Sequence, residues 1–158
     1  MNYILHIIIM INIYIILTVS TNLLVGMANL LSIGQAAFYG IGAYVAVFCL
    51  MVLKLPLIPT ILLVMLATAL FSMVVAYPSL RLKGDYFVLA TLGFQLIIFT
   101  ILYNWVPVTR GPYGIPGIPA PRLFGIIEIS GLIPFIFLST ILMLTIVFIF
   151  YKLVHSPF

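Results

Sequence analysis

The chain has 158 residues, of which 66% are hydrophobic and 5% charged, at a mean hydropathy of +1.43; a soluble domain runs to about 45–50% apolar and about 25% charged residues. Six Lys and Arg and two Asp and Glu cannot cover a water-facing surface, which excludes a soluble globule and indicates a polytopic membrane protein. The formal net charge of +4 comes from scattered cations that form no stripe able to neutralise phosphates, so nucleic acid is excluded as a partner.

At ~20 residues per crossing, the apolar runs predict about five transmembrane spans: Tyr3–Val25, Leu30–Leu53, Leu57–Tyr77, Tyr86–Val106 and Ile129–Tyr151. The expected fold is therefore all-α, a polytopic integral membrane helical bundle in a lipid bilayer, with 1–158 as a single membrane domain. The first span has no cation before it and no small-residue cleavage site after it, so it reads as a retained span, with a cleaved signal as the alternative. The segment Gly26–Gly34 carries Gly, Asn and Ser without charge, as a tight turn or a broken helix would. Irregular backbone at membrane depth survives where protein or a wet cavity satisfies it, so a pore-side feature and a plain interfacial turn both stand.

The second span opens with Ser32–Tyr44, SIGQAAFYGIGAY. On a helix Ala36 and Gly40 lie one turn apart, as do Gly42 and Ala46, giving a flat surface that lets another backbone approach closely. Gln35 is the amide in this stretch and needs a helix–helix contact or a cavity wall. Gly34, Gln35, Ala36, Gly40 and Gly42 are thus candidates for a translocation-side surface, with helix packing as the alternative for all five.

The third span leads into Pro78–Asp85, which holds Arg81, Lys83 and Asp85. Asp85 stands where it would N-cap the fourth span, and Arg81 and Asp85 would pair if the segment is helical; a solvated boundary is the plainer reading. Within the fourth span Thr91, Gln95 and Asn104 are uncharged polar residues of the kind that more often join helices than hold a ligand, as is Asn22 in the first. Tyr103 and Trp105 look like interfacial anchors. From 107 to 128, Pro107, Pro112, Pro116, Pro119 and Pro121 alternate with Gly111, Gly114, Gly117 and Gly125, a spacing that argues against any helix and for turns and extended chain. Loops of this length without regular structure are often functional.

With five spans and a cytoplasmic carboxyl terminus, Arg81, Lys83 and Lys152 face one side and Lys54, Arg110 and Arg122 the other, so the positive-inside count is tied. The spans contain no carboxylate, Lys or Arg to serve as a proton relay, which argues against an independent proton-coupled carrier. The lone Cys49 and two His offer neither an intrachain disulfide nor a zinc site of ordinary spacing. P-loop, nucleophile-elbow and zinc-protease signatures are absent, and neither Asp85 nor Glu128 has a His or second carboxylate nearby in sequence for acid–base work. The expectation is a non-enzyme without catalytic, cofactor or metal residues.

Five blocks of the chain, Ser32–Tyr44, Leu80–Phe87, Thr91–Phe94, Asn104–Trp105 and Thr109–Ile118, closely resemble in order and spacing the permease subunits of branched-chain amino-acid ABC importers, most nearly their M-type. The resemblance covers most of the chain, and no block is decisive alone. It implies a multi-pass subunit of the bacterial cytoplasmic (inner) membrane, working by alternating access. Its implied partners are a second permease subunit, cytoplasmic ATP-binding subunits and an extracytoplasmic substrate-binding protein. It also places the carboxyl end in the cytoplasm, which breaks the tied charge count. Arg81, Lys83 and Asp85 then mark a cytoplasmic boundary, and Gly111, Pro112, Tyr113 and Gly114 belong to an extracytoplasmic loop at 107–128 that is placed to meet the binding protein.

The chain departs from the family pattern in two places. Relatives continue past Phe158 into a Gly-Arg-Ala-type segment that engages the ATPase, so the chain is expected to be the amino-terminal part of a longer permease. Leu96 stands where many relatives carry Glu. Relatives with similar blocks also serve urea and short amides, which leaves the substrate open. A non-transporting assembly or regulatory membrane protein, derived from a truncated permease, is the alternative function.

Overall fold

The computed structural model describes residues 2–27, 29–123, 127–128 and 131–155. Backbone N–H and C=O groups in hydrocarbon have no water to bond, so long apolar runs close their bonds within helices. The described residues form α1 (Asn2–Asn22), α2 (Gln35–Met51), α3 (Leu57–Ser79), α4 (Asp85–Asn104), the single turn α5 (Val106–Thr109) and α6 (Leu132–Val154). Two short strands, β1 (Arg122–Leu123) and β2 (Ile127–Glu128), pair antiparallel with Arg122 opposite Glu128. This is a helical bundle of a polytopic membrane protein. Among the described residues, four helices are long and apolar enough to cross a membrane: Tyr3–Met27, Leu57–Ser79, Asp85–Asn104 and Leu132–Val154.

The second predicted span differs from its expectation. Helix α2 begins at Gln35 rather than Leu30 and has 17 residues, about 25 Å of rise against a hydrocarbon core of about 30 Å. Ahead of it, α1 ends in a π-helical turn, Leu23–Met27, and Asn29 takes a left-handed φ of 51°. Residues 29–33 are non-helical, as both the tight-turn and the broken-helix readings of this segment expect. Ala28, Gly125 and residues 156–158 of the sequence reading lie outside the described residues.

Three further boundaries moved for local reasons. Helix α3 runs through Pro78 to Ser79, two residues beyond the predicted end. Proline forfeits its own N–H bond, but the Leu80 N–H still donates to the Ala76 carbonyl at 2.8 Å. The cap of α4 is Gly84 at φ 57°, and Asp85 is the first helical residue with no side-chain capping bond, so the expected Asp85 cap is replaced by a glycine in a backbone region L residues rarely adopt. Within 107–128 a helical turn does form: Pro107 sits in the first turn of α5, where its missing N–H would be unpaired anyway. A 3-10 turn, Gly111–Tyr113, follows.

The chain divides into two compact units, one of Met1–Leu30 with Ile129–Phe158 and one of Leu31–Glu128. In the first, α1 packs along α6, and the buried Asn12 donates both amide hydrogens, to Ser139 Oγ at 3.1 Å and Thr140 Oγ1 at 3.0 Å. In the second, α2 packs against α3 and α4 around Ala37, Ile41, Cys49, Val75 and Phe87.

Candidate functional site

The second unit holds a half-open cavity of about 370 Å³ between α2 and α4, closed at one end by Gly111. Ala36, Ala37, Gly40 and Tyr44 come from α2, and Gln95, Leu96, Ile98, Phe99, Leu102 and Tyr103 from α4. One aromatic wall is a stack of Phe99 on Tyr103, with ring centroids 5.7 Å apart. Among the described residues, no Asp, Glu, Lys or Arg lines the cavity. Its polar focus is Gln95, whose Oε1 is buried without a hydrogen-bond partner among the described residues. Unpaired buried acceptors are rare because desolvation is uncompensated.

Small residues set the cavity's width. A Cβ on Gly40 would stand 3.2 Å from Leu102 Cδ1, so a side chain there would intrude on the α2–α4 gap. Gly42 points elsewhere, with its added Cβ meeting Thr68 Cγ2 at 3.4 Å and Val64 Cγ1 at 3.5 Å, a close approach of α2 to α3. Gly34 is buried and stands against the Thr91 carbonyl. Gln35 is half-buried and does not line the cavity, and its side-chain amide forms no hydrogen bond to a described residue. Of the five small and amide residues singled out by sequence, Ala36 and Gly40 share the cavity wall.

The non-helical entry to α2 is bonded by nearby hydroxyls. The Ile33 N–H donates to Thr91 Oγ1 at 3.3 Å, and the Gly34 N–H to Ser32 Oγ at 3.3 Å. Thr91 is 4% exposed and passes its own proton to the Val88 carbonyl at 2.9 Å.

The Gly111 end is built by a hydroxyl clamp. Thr109 is 2% exposed, and its Oγ1 lies 2.6 Å from the Leu102 carbonyl and 2.9 Å from the Trp105 carbonyl, while accepting the Gly111 N–H at 3.2 Å. Arg110 and Gly111 both take positive φ, 57° and 55°. The loop residue Tyr113 is 88% exposed, and Pro112 shares its 3-10 turn, which Gly114 ends at φ 66°.

At the opposite end of α4, Arg81 does not pair with Asp85. Its Nη2 donates to the Tyr77 hydroxyl at 2.7 Å and its guanidinium lies 4.6 Å from that ring's centroid. Residues four apart across the end of α3 meet on one face, whereas the turn at Gly84 carries Asp85 away. Lys83 is exposed. A second cavity, of about 620 Å³, lies by Lys54, Pro119 and Arg122, and an apolar one of about 440 Å³ adjoins the first through Tyr44, Ile98 and Leu102. No group of three His, Cys, Asp or Glu able to hold a metal occurs among the described residues.

The family model for the branched-chain amino acid transport system / permease component matches residues 3–158. The chain belongs to this permease family. Two similar curated proteins are the high-affinity branched-chain amino acid transport system permease protein LivM of Salmonella typhimurium strain LT2 and that of Escherichia coli strain K12. Each is 40% identical over 114 residues, which is 72% of this chain and 27% of the relative. The matched part thus spans little more than a quarter of the length of these curated permeases. No solved structure matches significantly. In this permease chain, Leu96 is one of the cavity-lining residues, so the wall is apolar at the position where the resemblance implies Glu.

Gln95, Asn12 and Thr109 are the polar residues whose importance the sequence understated. Gln95 was visible as an amide in an apolar span, but nothing in its neighbours distinguished it from Gln35. Thr109 read as part of a loop, although its place next to Arg110-Gly111 was a signal that a turn had to be tied down.

Proposed function

We propose that the chain is part of the transmembrane permease of an ATP-binding-cassette importer in the bacterial cytoplasmic membrane, carrying branched-chain amino acids or related small polar substrates. The match of the permease family over residues 3–158 carries this reading, and the 40% identity to two LivM permeases supports the substrate class. The chain performs no covalent chemistry. A separate substrate-binding protein delivers the substrate outside, and ATP hydrolysis on separate cytoplasmic subunits switches this chain and a second permease subunit between outward and inward access.

In this scheme the α2 surface around Gly34, Gln35, Ala36, Gly40 and Gly42 faces α3, α4 and the path. The turn Gly111, Pro112, Tyr113 and Gly114 forms the outer rim, where exposed Tyr113 suits a docking contact. Arg81, Lys83 and Asp85 form the cytoplasmic boundary. Deleting the native-length gene should abolish binding-protein-dependent uptake of labelled leucine, and a plasmid copy should restore it. Unchanged uptake of leucine, isoleucine, valine and short amides after deletion would overturn the reading; co-purification with intact permeases in that case would point to an assembly or regulatory role.

A further inference from the structure

We propose that the α2–α4 cavity is a ligand subsite in which Gln95 Oε1 accepts a hydrogen bond from an N–H donor carried on a small aliphatic body. The inference rests on the transport reading above and adds the atom that recognises the ligand. Three observations converge on it. The carbonyl oxygen of the Gln95 amide is buried without a donor among the described residues, so an arriving N–H gains a bond that the protein itself leaves unmade. The walls are neutral and largely apolar, which favours an aliphatic group and disfavours a ligand with a charged side chain. The volume of about 370 Å³ falls at the small end of ligand pockets, roughly 300–1,000 Å³, and is kept open by Ala36 and by Gly40, where a Cβ would meet Leu102.

An ammonium and a neutral amide both supply the required donor, and a carboxylate does not. A site built around an acceptor discriminates against analogues that lack the donor, because its polar atom is then left buried and unpaired. Gln95 also lies one turn from Thr91 and Phe99 along α4, so its backbone is anchored on one side by the Thr91 bond to Ile33 and on the other by the Phe99–Tyr103 stack.

The test uses the native membrane assembly containing the full chain, reconstituted in nanodiscs, with tritiated L-leucine displaced by unlabelled L-leucine, 4-methylpentanamide or 4-methylpentanoate. L-leucine should compete about 10-fold or more better than 4-methylpentanoate, and Gln95→Leu should bring the two within about 2-fold. Gln95→Glu keeps an acceptor and should keep the preference for L-leucine. Competition by 4-methylpentanamide as strong as by leucine identifies a neutral N–H as sufficient; weak competition by the amide with strong competition by leucine identifies the ammonium. An unchanged preference in Gln95→Leu, or 4-methylpentanoate binding best to the wild type, overturns the subsite while leaving uptake, and so the transport reading, intact. Ala36→Leu fills the same cavity with apolar atoms and should weaken all three competitors together; wild-type binding in that variant also overturns the subsite, even if Gln95→Leu fails to assemble. Absence of both leucine binding and leucine uptake in the wild type overturns the two readings at once.

Discussion

Gly111 is fixed by backbone geometry rather than by chemistry. At φ 55° a Cβ would lie 2.5 Å from the Tyr103 carbonyl oxygen, so an L side chain meets both an unfavourable backbone region and a clash with atoms of α4 that cannot rotate away. Gly111→Ala should destabilise the chain by about 2 kcal/mol or more, read as a lower thermal unfolding midpoint in detergent. It should also speed tryptic cleavage at Arg110, because the Thr109 clamp cannot hold a displaced turn. A thermal midpoint and cleavage rate equal to wild type would show that the turn is not held as described. Gly34 and Gly42, by contrast, have negative or unremarkable φ and ordinary contact distances to Thr91 and Thr68; their small size serves close packing.

At the level of elements, the packing of α1 on α6 includes a buried polar contact centred on Asn12. Asn12 is 5% exposed and bonds both Ser139 and Thr140. Hydrogen bonds between membrane helices average about 0.6 kcal/mol and reach about 1.7, so Asn12→Leu should lower stability by about 1 kcal/mol. A double-mutant cycle with Thr140→Val should recover coupling between the two positions, and strict additivity would refute the contact. Asn12 was not distinguished in the sequence because a lone Asn in a run of Ile has no amphipathic context to say which way it faces. The element boundaries were more legible: apolar runs bounded by charge and Pro located α3, α4 and α6 to within a few residues. The misplaced ends have common causes. Proline is tolerated in the last turn of α3 and the first turn of α5, and Gly84 with its positive φ outcompetes Asp85 as a cap. The late start of α2 was hidden because the bonds that sustain the non-helical Ile33–Gly34 backbone come in part from Thr91, 58 residues along the chain.

On the scale of the molecule, most large apolar side chains face outward: Leu62 is 63% exposed, Phe137 67% and Phe148 67%, and α6 has no buried residue. Such surfaces are stable against lipid tails or other helices, not against water. The α4 helix of 20 residues rises about 30 Å, enough to put the Lys83 and Tyr113 segments at its two ends on opposite faces of the hydrocarbon in the proposed topology. In intact cells a membrane-impermeant maleimide should label Tyr113→Cys and not Lys83→Cys, with the native Cys49, 3% exposed, remaining unlabelled. The reverse pattern would invert the proposed orientation. Hydropathy alone established a helical membrane protein and the rough limits of most of its spans, because the need to satisfy every backbone group in lipid leaves few other solutions; the family was legible separately, in the resemblance of the sequence blocks, and the family match over residues 3–158 bears it out. Hydropathy could not decide which residues face a cavity. The helices are apolar on every side, so no polar stripe marks an inward face, and the choice between Gln35 and Gln95 is made only when α2 and α4 pack and set Ala36 and Gly40 opposite Gln95 and Leu102.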